Sequence, residues 1–211
     1  MTRTNSPASH RLRRWEAALL LALALAALLG ARLDRQQQAL AGSLVRLHVL
    51  ANSDRAEDQA LKLQVRDAVL AQAEGLIPPD ASPAQARAVL AQALPQLARA
   101  GARTVAAAGY DYPVTASLDD HVWFPTRVYD EFALPAGTYT ALRISIGAGE
   151  GQNWWCVVFP PLCLGSVSET AQPLPLEEQQ VALITGEDSG YVVKFKLMEL
   201  VEGAKQWLAR R

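Results

Sequence analysis

The sequence predicts an α+β fold, an antiparallel β-meander packed against two or three helices, with an N-terminal signal or anchor segment and a C-terminal helix. Three observations lead there. Ala17 to Leu29 is an unbroken run of alanine and leucine behind four arginines. One alternating segment near residue 45 is followed by two stretches of helical periodicity. Beyond Gly109, four strand-like runs are separated by Gly- and Pro-bearing turns.

The N-terminal run comes first. Arg3, Arg11, Arg13 and Arg14 precede it, opposed only by Glu16. A basic flank followed by an apolar core is the pattern of an export signal. With Gly30 and Ala31 the run makes about 22 Å of helix, short for a bilayer core of roughly 30 Å. Residues 1–31 therefore read as a signal peptide or an N-terminal membrane anchor, with the arginine flank in the cytoplasm. Residues 32–43, containing Gln36, Gln37 and Gln38, read as a polar spacer, and residues 44–211 as a single domain.

Leu44 to Leu50 alternates as a strand, with Val45, Leu47 and Val49 on one face. Asn52-Ser53-Asp54 opens a helix running to about Ala73, with Asp54 as N-cap and Glu57 completing a capping box. That helix carries apolar residues on two sides, and Arg55, Gln59, Lys62 and Arg66 form a polar stripe between them. Asp67 is expected to point into an apolar face and to need a partner such as Arg46. Ser82-Pro83 starts the next helix as N-cap and first residue. Pro95 should kink it or split it into segments 83–92 and 95–108. The strand-like runs are 114–118, 126–132, 139–146 and 153–159, with Gly147, Gly149 and Gly151 forming a hairpin between the last two. A loop near 171–180, a strand near 191–195 and a helix to about Leu208 complete the chain.

The segment 153–163 concentrates unusual chemistry. Trp154 and Trp155 fall on opposite faces of a strand, Pro160 and Pro161 end it, and both of the chain's cysteines, Cys156 and Cys163, lie within it. In an exported domain they either close a disulfide or remain as two buried thiols. Without residues 1–31 the chain holds 16 Lys+Arg against 20 Asp+Glu, a formal charge of −4. That balance argues against nucleic acid or an anionic lipid surface as principal partner, leaving membrane contact to the N-terminal segment.

The catalytic motifs are sparse. Three histidines and two cysteines give no zinc-binding spacing, and neither a metal nor another cofactor is expected. The 147–151 glycines lack the Lys-Ser/Thr of a phosphate loop. One alternative reading is an exported cysteine hydrolase, with His48 as base to Cys163 or Cys156 and Asp54 or Asp67 orienting it. Against it, His48 serves equally well as a histidine bonded to a carbonyl. The remaining set suits recognition: Arg55, Gln59, Lys62, Arg66, Trp154 and Trp155 as contacts, with His48, Asn52, Ser53, Asp54 and Asp67 shaping or supporting the turn.

Several segments together resemble one family. RLHVLANSD (46–54), EDQALKLQVRD (57–67), FPTRVY (124–129), LPAGTYTAL (134–142) and GQNWWCVVFPPLC (151–163) are similar, in that order, to stage II sporulation protein R. Asp130 stands where the family pattern has glycine. The resemblance implies a signalling protein of endospore formers and not an enzyme. Such a protein is made in the forespore and secreted into the intermembrane space between forespore and mother cell. There it activates a membrane-embedded aspartic peptidase that processes the sigma-E precursor.

Overall fold

The computed structural model describes residues 13–128 and 133–160. The expected strand near 191–195, the C-terminal helix, Cys163 and the turn at Asp130 lie outside the described residues. Two compact units are present, Met1–Gln36 and Gln37–Arg211.

Helix α1 runs from Arg14 to Ser43. Within the first unit its apolar side chains are exposed, Trp15 and Leu21 each 62%. It is long and apolar enough, by length and composition, to cross a membrane. The stretch expected as a polar spacer is instead helical to Ser43. Its last turns belong to the second unit, where Leu40 is fully buried and Gln37 Nε2 donates to the Ala136 carbonyl at 2.5 Å. Glutamine and alanine are good helix formers, and one buried leucine is worth about 1.5–3 kcal/mol, so a segment that reads as linker is held as helix.

In the second unit, β1 (Val45–Leu50) is followed by α2 (Ala56–Glu74) and α3 (Pro83–Ala107). Then come β2 (Val114–Phe124), the short pair β3 (Arg127–Val128) and β4 (Ala133–Leu134), β5 (Gly137–Ile146) and β6 (Asn153–Phe159). The α+β class stands, but the strand order is not that of a simple meander. The sheet reads β2-β5-β1-β6, with β1 parallel to β5 and antiparallel to β6. The reason is that β1 is covered along its whole length, Val45, Leu47 and Val49 by the helices and Arg46 and His48 by aromatic rings, and a strand buried on both faces belongs in a sheet interior. Residues 147–152 therefore do not form a hairpin. They pass over the end of β1.

Both helices sit on one face of the sheet. Val45, Leu47, Val49, Leu142, Ile144, Cys156 and Val158 meet Leu61, Val65 and Val69 of α2 and Leu90 and Leu97 of α3 there. The other face carries a second cluster of Leu40, Leu44, Phe124, Leu134, Tyr139, Ala141 and Val157. Ser82 caps α3 with a full capping box through Gln85, as expected. Pro95 lies inside one continuous helix, so the predicted split does not occur. The cap of α2 differs too: its N-cap is Arg55, without a side-chain cap bond. Asp54 accepts from the Gln152 amide at 2.7 Å, serving the crossing loop instead of its own helix.

Candidate contact surface

The β1–α2 loop and the β5–β6 loop are held together by a polar network. Asp58, in the first turn of α2, is 1% exposed. Its Oδ2 accepts from the Ser53 hydroxyl at 2.5 Å and from Asn52 Nδ2 at 2.9 Å. Those bonds, the Ser53 one foremost, lower the carboxyl pKa below its ordinary value, against the opposing effect of burial. Asn52 is used twice, since its Oδ1 accepts from the Ala148 amide at 3.0 Å. The Gly151 amide donates to the Ala51 carbonyl at 3.0 Å. Gly147 has φ +58 and packs against the Asn52 side chain, a conformation that favours glycine.

Lys62 sits behind this turn, 4% exposed. Its ammonium donates to the Gln152 carbonyl at 2.9 Å and to Gln59 Oε1 at 2.6 Å, while Gln59 Nε2 donates to the Ser53 carbonyl at 2.8 Å. Burial is the main cause that lowers the Lys62 pKa; Asp54 opposes it and Arg66 adds to it. The stripe expected as one contact strip is thus divided by role. Gln59 and Lys62 clamp the loops, whereas Arg55 is exposed and bonds the Tyr112 hydroxyl at 3.0 Å. Arg66 lies over Trp154, 4.5 Å from the ring centroid, and pairs with Asp67 at 2.7 Å. Asp67 therefore points outward, 61% exposed, and not into an apolar face; the buried carboxylate of this helix is Asp58. Arg46, its suggested partner, is buried on the other side of the sheet, 4.2 Å over the Phe124 ring.

The two tryptophans take opposite faces, as period two requires. Trp154 registers with Val49 on the helix side, and Trp155 with His48 on the other. His48 stacks on Trp155 at 3.9 Å between centroids. Its Nε2 meets Asn153 Oδ1 at 2.6 Å, while Nδ1 is buried without a hydrogen-bond partner. Burial is the first cause that lowers the His48 pKa, so the ring is neutral at pH 7. Cys156 registers with Leu47 on the helix face and is disulfide-bonded. His48 and Cys156 thus stand on opposite sides of the sheet, and the structure does not bring them together as base and nucleophile. Cys163 lies outside the described residues.

Arg55, Arg66, Asp67 and Trp154 sit on the helix side at the loop end of the sheet, with Asn52, Ser53, Asp54, Gln59 and Lys62 fixing the turn beneath them. Trp155 and His48 belong to the reverse face. Sequence reasoning missed Asp58, whose signal was a carboxylate in the first helical turn, five residues after Ser53. It also missed Gln152 and Tyr112, which carry no signal because a carbonyl and a distant phenol are joined only by the fold.

The family model described as Stage II sporulation protein R matches residues 41–169. Stage II sporulation protein R of Bacillus subtilis (strain 168) is 37% identical over 130 residues, 62% of this chain and 58% of that protein. The chain thus spans less than two thirds of the length of that curated relative. No solved structure matches. The matched residues take in every described strand, helices α2 and α3, and both stapled loops; this chain belongs to the stage II sporulation protein R family, and its role is in sporulation.

Proposed function

We propose that this protein is an exported signal, made in the forespore, that binds a membrane-embedded aspartic peptidase of the mother cell and switches it on to process the sigma-E precursor. Its site of action is the space between the two membranes, and it makes or breaks no bond itself. One observation carries the reading beyond family membership. The two loops at the end of the sheet are cross-linked through Asn52, Ser53, Asp58 and Lys62 into a fixed platform. The platform presents Arg66 over Trp154, with exposed Arg55 about three helical turns away at the start of α2. Arginine and tryptophan on a pre-organised support are the composition of an interface anchor. The apolar N-terminal helix supports export or anchoring.

Activation requires tighter binding to the active state of the receptor than to the inactive one, because equal affinity shifts no population. Arg55, Arg66 and Trp154 are the contacts on the helix side, and Trp155 extends the surface around the edge of the sheet. The test is reconstitution of the protein with the peptidase and its precursor substrate in vesicles. The R55E/R66E variant should lose precursor cleavage while still folding cooperatively, its melting temperature lowered by only a few degrees through the lost Arg66–Trp154 and Arg55–Tyr112 contacts. Full cleavage with that variant would overturn the surface, and turnover of a substrate by the purified protein alone would overturn the non-catalytic reading.

A further inference from the structure

The outer edge of β2 is built unlike a strand meant only to end a sheet. Among the described residues no strand covers it, and it runs eleven residues. The Gly147 amide donates to the Pro113 carbonyl at 2.8 Å, and residues 113 and 147 continue the β2–β5 register. Hydrogen-bonded pairs alternate in an antiparallel ladder. Thr115, Ser117 and Asp119 therefore direct their backbone groups to β5, and Val114, Ala116 and Leu118 direct theirs outward.

The side chains along this edge are selective. Trp123 is 44% exposed; every other exposed large apolar side chain among the described residues lies in α1. A bulge between Asp119 and Val122, with His121 at φ +60, separates Trp123 from the open ladder. At the bulge, Asp119 accepts from the Ser117 hydroxyl and Asp120 from the Thr140 hydroxyl, both at 2.8 Å. Neither carboxylate has an ion-pair partner among the described residues. Bulges and charges are ordinary guards against strand addition. A single exposed tryptophan is ordinary in itself, but tryptophan leads the residues that anchor interfaces, and Trp123 stands at the end of an open ladder. Open backbone groups, an aromatic anchor and uncompensated carboxylates together describe a docking edge that rejects acidic strands, including a second copy of itself.

We propose that the outer edge of β2 takes up an extended, basic segment of the partner peptidase as a fifth strand, with Trp123 as anchor and Asp119 and Asp120 selecting the charge. This rests on the activator reading above and adds a second point of attachment, at the opposite sheet edge from Trp154. Main-chain bonds supply affinity in such strand addition and side-chain pockets supply specificity.

The test uses the full chain with the peptidase and its substrate in vesicles. Ala116→Pro removes an outward amide without removing a bond to β5 and should weaken activation about tenfold or more. Trp123→Ala should weaken it about thirtyfold, and the double variant Asp119→Lys/Asp120→Lys at least about tenfold. Far-ultraviolet circular dichroism and melting identify variants that fold. Independently of any variant, the amides of Val114, Ala116 and Leu118 should exchange more slowly in the complex, while those of Thr115 and Ser117 change little. A wild-type protein that fails to activate sinks the activator reading itself. Activation by wild type and equally by all folded variants overturns the docking edge alone. Loss of activation without amide protection overturns strand addition. Protection of the same amides by self-association, or by peptidase-free vesicles, assigns the edge to a second copy or to lipid and overturns the proposal.

Discussion

Replacing Asp58 by alanine tests whether the two loops are held by the network or merely lie against each other. The carboxylate is 1% exposed and accepts two bonds, from the Ser53 hydroxyl and the Asn52 amide. A hydrogen bond to a charged group is worth about 1.5–3 kcal/mol, and truncation also leaves the donors without their acceptor. The two bonds share one oxygen and do not add fully, so D58A should cost about 3 kcal/mol. The 3.6 Å contact with Arg55, whose side chain is 61% exposed, adds little. D58N keeps the shape but forces an amide group into the pocket, where Oδ1 has no partner, and should cost about half as much. Equilibrium urea unfolding at pH 7 measures both. The pH dependence is a second reading of the same group. Its pKa is lowered from 3.8 in the folded state. Its stabilisation is therefore fully present above 3.8 and is lost as pH falls through that value and through the lower folded one. Wild type should lose stability more steeply than D58N as pH drops below about 5. A D58A cost below about 0.5 kcal/mol, or identical acid slopes for wild type and D58N, would refute the staple.

Three further outcomes follow from local geometry. In Gly101→Ala, the added methyl group lies 2.9 Å from Val114 Cγ1 and 3.2 Å from Val65 Cγ1. Overpacking of about 1–3 kcal/mol should exceed the helix-propensity gain of about 0.5–1 kcal/mol, so the melting temperature should fall. In Gly147→Ala, a β-carbon at φ +58 collides with the Asn52 side chain; amide exchange at Ala148 should accelerate, and unchanged exchange would mean that the loop is not held through Asn52. Removing the cation over Trp154 with Arg66→Ala should cost about 0.5–1 kcal/mol and alter tryptophan emission, whereas Arg66→Lys should recover part of both.

The fold was legible wherever periodicity or capping chemistry is local. Ser82-Pro83 announced α3, and the alternation in 139–146 and 153–159 announced β5 and β6 almost to the residue. The order of the strands was not legible, because the continuous burial of β1 reports two covered faces without naming neighbours. Pro95 does not split α3, because Leu90 and Leu97 hold the helix against the core on both sides of it and offset the intrahelical bond that the proline removes. For the candidate site, the sequence identified the residues around Asn52 and Trp154 but assigned Lys62 to the surface. A lysine on a polar stripe looks solvated until the crossing loop, set by the strand order, covers it with the Gln152 carbonyl.

The interior position of β1 also dictates when the molecule can exist as a folded object. Arg46 meets the Cys156 carbonyl 110 residues downstream, and β1 finds no partner until β5 and β6 have emerged. A polypeptide passing N-terminus first through a narrow conduit would carry only the adjacent α2–α3 pair as locally completable structure. In such a passage the chain would not lock shut midway, and closure of the sheet would wait until β5 and β6 had arrived on the far side.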